Sequence, residues 1–402
     1  GIPESMHPAD SALQSQWITD IDDAPHLLVS GVTVPGLGAT VIPLAAGDPP
    51  SNPSPFRIHG DAVSTPHALV EFDADGRICS LIDKTSGREI VAPGGALNTF
   101  LLGEDIPLAW DNWDIDYDQA MKMQPDMRLK HREFVADGAL QLRVRCVYRI
   151  GEASTLTQDM VFHTHTPRID FETLIDWKEK RKLLKAAFDL QVLAENARHE
   201  IQYGHVERPT HQNLPGDRAR FEVCAHKWTD LSENGFGVAL LNDCKYGVSV
   251  RRGTVGLSLL KSSVHPDPRG DEGRHHMTYS LLPHACAFGV KAVVRPAYEL
   301  NVPLITHMAS DAAEPVASLV AVDSPHVIIE SVKWAESGEG FVVRLYDAAK
   351  LGHKVRLQFG LPVKSVAETN MLEENPKRVS VRRGGVELYM RPFEIKTLVC
   401  AV

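Results

Sequence analysis

At 402 residues, 43% hydrophobic and 23% charged, the chain has an ordinary globular make-up and length enough for two or three domains with ample cores. A formal net charge of −10 argues against nucleic acid or an anionic membrane surface as partner. The nearest approach to a membrane span, "LLVSGVTVPGLGATVIPLAA", is broken by Pro35, Gly36, Gly38 and Pro43.

The opening "GIPESMHPAD" lacks signal-peptide architecture, and its first Gly in place of an initiator Met points to a processed or engineered end. The Pro-rich "AAGDPPSNPSPFR", 46–57, reads as a linker. From there the apolar period is two nearly everywhere, punctuated by turn chemistry at "DADG" (73–76), "KTSG" (84–87), "ENGFG" (233–237) and "RRGG" (382–385). In "ALQLRVRCVYRI", Leu140, Leu142, Val144, Cys146, Tyr148 and Ile150 share one face, while Gln141, Arg143, Arg145 and Arg149 take the other. "KEKRKLLKAAFDL", 178–190, scores as helix on propensity, but its β-rich surroundings make strand the expectation. Near residue 300 a run of His, Arg and Pro gives way to a fresh β pattern, which marks a second boundary. Beyond it, Phe341, Val343 and Leu345 are expected inward, as are Phe393, Ile395, Thr397 and Val399. Such a pattern, without long amphipathic helices, predicts packed antiparallel sheets. The six scattered cysteines, Cys79, Cys146, Cys224, Cys244, Cys286 and Cys400, form no CxxC pair and fit buried thiols in a reducing, cytoplasmic setting.

Three polar stretches stand out. "PLAWDNWDIDYDQ", 107–119, sets Trp110, Trp113 and Tyr117 among Asp111, Asp114, Asp116 and Asp118. Acids beside aromatics are the equipment of sugar chemistry, carboxylates for acid/base work and rings for stacking. The competing reading, which the residues alone favour, has the tryptophans anchor the loop on a sheet while the aspartates bind backbone amides. An EF-hand is unsupported without its central Gly and closing Glu. "GHVERPTHQN", 204–213, carries His205, Glu207, Arg208 and His211. A zinc-protease helix needs its histidines one turn apart; here the spacing is six and Pro209 intervenes. Extended, the two histidines stand about 20 Å apart, so no metal is expected on them. "SSVHPDPRGDEGRHHMTYSLLPH", 262–284, reads as a solvated loop followed by a strand. No GxSxG elbow, phosphate loop or dinucleotide fingerprint occurs.

"PLAWDNWDID", "RIDFETLIDWKEKRKLLKAAFDL", "YGHVERPTHQN", "ARFEVCAHKWTDLSENGFGVALLNDCKYG", "LSLLKSSVHPDP", "MTYSLLPH", "VKSVAETNMLEENP" and "LYMRPFEIKTL" resemble the C-terminal half of glycoside hydrolase family 38 α-mannosidases. With "VTVPGLGAT" the resemblance covers most of the chain. It implies an all-β fold, a galactose-mutarotase-like super-sandwich over 61–300. A partial leading sandwich with linker would occupy 1–60, and a closing sandwich 301–402. It further implies a retaining enzyme whose aspartate nucleophile, aspartate acid/base and zinc lie in a barrel and helical region that precede these sheets. No catalytic or metal-binding residue is therefore expected in this chain, which alone would be silent. The expected partners are those catalytic and helical domains and α-mannoside glycans; a homo-oligomer is left open. Trp110, Trp113, Asp114, Asp116, Tyr117, His205, Glu207, Arg208 and His211 would face the barrel or the substrate groove. Two alternatives compete: a mutarotase-like epimerase using Glu207 with His205 or His211 as base and acid, and a lectin-like module using Trp110 and Trp113.

Overall fold

A computed structural model describes residues 5–47, 52–310 and 312–402. The opening Gly and part of the Pro-rich stretch, including the centre of the expected linker, lie outside the described residues. The fold is all-β, about half strand and one-twentieth helix. Every named strand pairing is antiparallel.

Two large sheets face each other across residues 56–284. One, of nine strands, has Gln141–Ile150, Ser154–His163, Ile169–Trp177 and Gly273–His284 at its heart and ends on Gly204–Pro209. The other, of eleven, is centred on Leu97–Glu104 and Lys182–Asp189. The segment 178–190, ambiguous on propensity, thus contributes a strand. Between the sheets lies one apolar cluster running from Phe56 to Leu281, with Phe100, Tyr148, Phe171, Trp177 and Phe188 fully buried. The inward face read in 140–150 is that face: Leu142, Val144, Cys146, Tyr148 and Ile150 are each 0% exposed.

The centre of this core is polar. The strand Leu97–Glu104 is bulged at Asn98, which takes a left-handed conformation (φ 63°) and turns its amide inward. Asn98 Nδ2 donates to Gln158 Oε1 (2.6 Å), Gln158 Nε2 donates to the Tyr279 hydroxyl (2.7 Å), and that hydroxyl donates to Asn98 Oδ1 (2.7 Å). Gln158 spends its second amide hydrogen on Thr173 Oγ1 (2.8 Å). Each member is fully buried and satisfied, and the ring ties one sheet to the other.

The outer face of the nine-stranded sheet is also covered. Arg143, expected outward, is 1% exposed, held by buried Asp159 (3.2 Å) and by Glu172. Arg145 joins Asp159 (2.7 Å) and donates to the Asp20 carbonyl (2.7 Å). The ribbon Gln14–Thr19 with Pro25–Ser30 lies over them, Gln16 Oε1 accepting from the amides of Leu140 and Gln141. Alternation assigned Arg143 to the second face correctly; it could not show that this face has a cover.

A smaller sandwich of a four- and a five-stranded sheet, 320–401, has its own core around Val343, Leu345, Leu357, Val386 and Leu398. Its last strand, Ile395–Ala401, corrects the expected phase. Leu398 and Cys400 point into this core, and Ile395 faces the large sandwich. Both faces of that sheet are packed, so a period of two could not say which was inside. At the seam Tyr346, Ile328 and Ala348 meet Trp228, Leu241 and the helical turns Val290–Val294 and Arg295–Asn301, where no helix was expected. Lys227 pairs with buried Glu200 (3.3 Å) and sits 4.6 Å over the Tyr298 ring, whose hydroxyl reaches Tyr346 (3.1 Å) and Glu330. Ahead of both sandwiches, Leu37–Ala39 crosses to Val316–Leu319 through backbone bonds. A Cβ on Gly38 would stand 2.5 Å from the Val316 carbonyl oxygen, so the crossing needs glycine there.

Turn chemistry falls where expected: Arg383 and Gly384 both have positive φ in the two-residue turn between Val381–Arg382 and Gly385–Met390. The cysteines depart from expectation. All six are free, but only Cys146 and Cys400 are buried. Cys79 takes an outward strand position, while Cys244 and Cys286 sit in bends. Among the described residues no helix is long and apolar enough to cross a membrane.

Replacing Tyr279 by Phe opens the polar ring and strands Asn98 Oδ1 and one Gln158 hydrogen without water. The expected loss is about 2 kcal/mol of unfolding free energy, read from the guanidinium midpoint of the large sandwich.

Candidate functional site

The 106–118 loop leaves the strand Leu97–Glu104 and is pinned at both ends. Buried Asp105 pairs with Lys261, and Gln119 Nε2 donates to the Glu104 carbonyl (2.9 Å). Midway, Asp111 Oδ2 accepts from the amides of Val264 (2.7 Å) and His265 (2.9 Å), and Ser263 Oγ donates to Asn112 Oδ1 (2.8 Å). Asp116 accepts from the Leu108 amide (3.1 Å) and Asp114 from that of Ile115 (2.9 Å). Asp118 pairs with Lys122 (3.0 Å). Asp111, Asp114 and Asp116 thus serve backbone amides, the structural half of the competing sequence reading. Its other half fails, since the tryptophans do not anchor the loop. Trp110 and Trp113 are 70% and 67% exposed and meet edge to face at 6.5 Å. Trp110 is held at φ 59°, and its carbonyl accepts from the amides of Trp113 (2.7 Å) and Asp114 (2.9 Å). Leu108, Tyr117 and Met121 are likewise exposed, so the loop presents a fixed apolar surface.

The strand Gly204–Pro209 runs extended at the sheet edge, with no turn at Pro209 to fold His205 back on His211. Its residues part company. His205 leaves the expected free surface: its ring lies in the seam, 4.8 Å from Phe288, 4.9 Å from Phe393 and 5.8 Å from Trp228. Burial, aided by the Arg198 charge, pulls its pKa down to about 4, so the ring is neutral at pH 7. Glu207 is exposed and accepts from Arg198 Nε (3.0 Å). Arg208 has Nη1 buried without a hydrogen-bond partner, and burial lowers its pKa. His211 is exposed beside Asp217 (3.5 Å). Of the pair wanted for an epimerase, His205 lies in an aromatic box and Glu207 in an ion pair with Arg198.

Two of the expected residues do converge. Tyr117 packs edge to face on Phe221 (5.7 Å), which brings the aromatic loop beside the segment after Pro209. Together Tyr117, Thr210, His211, Gln212, Asn213, Arg218, Arg251 and Arg252 line an open cleft of about 350 Å³. The arginines were not foreseen. Their only sequence signal is the "RRG" turn at 251–253, whose Arg252 amide donates to the Thr210 carbonyl (2.7 Å). Among the described residues no three His, Cys, Asp or Glu side chains gather as a metal would require.

Residues 63–269 match the profile described as "Glycosyl hydrolases family 38 C-terminal domain". This chain belongs to that family. Residues 326–398 match a second profile, the family 38 C-terminal β-sandwich domain. Over 92% of its length the family 38 chain is 37% identical to "Alpha-mannosidase 2C1" of Homo sapiens, of which it covers 37%. It is 34% identical to "Alpha-mannosidase G" of Dictyostelium discoideum, over 98% of this chain and 38% of that protein. The chain therefore spans well under half the length of these relatives. A crystal structure of a family 38 protein from Enterococcus faecalis superposes with TM-score 0.75, covering 98% of this chain and 51% of the other at 15% identity. The two share the fold.

The neutral His205 makes the seam acid-sensitive. The unfolded ring takes a proton near its ordinary value of 6.5, the folded ring only near 4, so stability present above pH 6.5 is lost as pH falls toward 4. His205→Phe, which keeps an aromatic in the box, is expected to flatten that part of a Tm-against-pH curve measured from pH 7.5 to 4.5.

Proposed function

We propose that this chain is the accessory β half of a retaining, zinc-dependent α-mannosidase, silent alone and acting by bracing the catalytic half and reaching its glycan. On this reading 1–60 is a partial leading sandwich with linker, 61–300 the super-sandwich and 301–402 the closing sandwich. The observation that carries it is the rigid, exposed loop. Trp110, Trp113, Leu108, Tyr117 and Met121 face solvent on a backbone locked by Asp111, in a chain that matches an α-mannosidase over 92% of its length yet covers 37% of it. A soluble domain rarely leaves so many large apolar groups together without a surface to meet them. The zinc would be held by residues outside this chain, since the described His and Asp side chains do not cluster. Retaining hydrolysis needs two carboxyls about 5 Å apart and firmly held, and packing against a stiff sheet supplies such firmness. Glu207, Arg208 and His211 would support the edge of that contact, whereas His205 would act only within the seam.

The purified chain is expected to release no product from a 4-nitrophenyl α-mannoside and to hold no stoichiometric zinc. Co-expression with the catalytic half of a family 38 enzyme should restore hydrolysis and co-purification. Trp110→Ala with Trp113→Ala should weaken that association at least tenfold. Activity or stoichiometric zinc in the chain alone would overturn the reading, as would association indifferent to both tryptophans.

A further inference from the structure

We infer that the cleft between Tyr117, His211–Asn213, Arg218 and Arg251–Arg252 binds a phosphorylated sugar. Its charge is the first reason. The lining brings three guanidiniums and an imidazole together and no carboxylate, in a chain whose net charge is −10. Arg218, Arg251 and Arg252 are exposed, and none forms an ion pair within 4 Å among the described residues. Asp217, beside His211, is committed: Oδ2 accepts from the Leu214 amide (3.0 Å) and meets His211 (3.5 Å), and Oδ1 faces Arg220 (3.6 Å). Arg208, two residues before Thr210 in sequence, has Nη1 buried and unpartnered. Like charges gathered without counter-ions cost free energy that an oxyanion recovers, and guanidiniums bind phosphate oxygens in pairs.

The second reason is that the cleft is built. Arg252 is held at φ 55°, its amide bonded to the Thr210 carbonyl. Thr210 is in turn buried, its hydroxyl donating to the Ala194 carbonyl (2.7 Å). Gly253 admits no side chain, because a Cβ would stand 2.3 Å from the Leu190 carbonyl oxygen. The turn carrying both arginines is therefore fixed against the floor. The third reason concerns the uncharged lining. An aromatic ring braced by Phe221 and the amides of Gln212 and Asn213 are what a pyranose face and its hydroxyls require. At about 350 Å³ the space suits a hexose phosphate.

The inference stands on the cleft alone, so its failure and that of the mannosidase reading are separate results. Calorimetric titration of the 402-residue chain with mannose 6-phosphate, inorganic phosphate and mannose tests it. Mannose 6-phosphate should bind at least tenfold tighter than inorganic phosphate, and mannose should give no measurable heat. Arg251→Ala with Arg252→Ala should weaken mannose 6-phosphate about tenfold or more at unchanged Tm, Arg251→Lys with Arg252→Lys should weaken it less, and Arg378→Ala on the small sandwich should have no effect. Tyr117→Ala should reduce affinity for the sugar phosphate while sparing inorganic phosphate. Equal affinities for mannose and mannose 6-phosphate, or a double alanine variant that binds as the parent does, would overturn it. Inorganic phosphate binding as tightly as the sugar phosphate would overturn the saccharide assignment.

Discussion

The large sandwich depends on a closed polar ring at its centre. Asn98 comes from one sheet and Gln158 and Tyr279 from the other, and each hydrogen-bonds the next. Apolar burial between two broad sheets is non-directional and is fixed only by how well the side chains interdigitate. Hydrogen bonds in a dry interior are directional. A slip would bury three orphaned groups at once, so the ring sets the relative position of everything attached to either sheet.

Both candidate surfaces are attached to that frame. The tryptophan loop springs from the strand that carries Asn98 and is fastened to the 263–265 segment, and Arg251–Arg252 turns on the strand beside Lys182–Asp189 in the same sheet. The wall containing His211 follows the edge strand of the opposite sheet. The cleft therefore draws its lining from segments attached to both sheets. The second sandwich is joined through an aromatic and tyrosine-rich seam that includes His205.

How much of this could be read from the chain depended on how local each feature is. The inward face of 140–150 was legible, because one covered face and one polar face give a clear period. The phase of 395–400 was not, because both of its faces are packed and Thr397 and Val399 suit either side. Asn98, a lone amide in "LNTFLLG", gives no hint of a bulge, since its partners lie 60 and 181 residues away. The tryptophan loop announced itself by composition, and Asp111, Asp114 and Asp116 proved to be amide acceptors. The cleft was half visible. Tyr117 and His211 stood out within polar stretches, while Arg251 and Arg252 read as an ordinary solvated turn until folding carried them beside Thr210. The collinear segments from 107 to 398 pointed to the fold as a whole, which no single stretch could have done.

The crossing of Leu37–Ala39 to Val316–Leu319 has a kinetic meaning. Ser318 Oγ donates to the carbonyl of Gly36, 282 positions earlier, so the bond closes a loop containing the whole large sandwich. Closing so long a loop in an unfolded chain is entropically unfavourable and rewarded by only a few bonds. Prior collapse of the sheets between brings the two ends near and lowers that cost. The strap is therefore expected to behave as a latch that engages after those sheets.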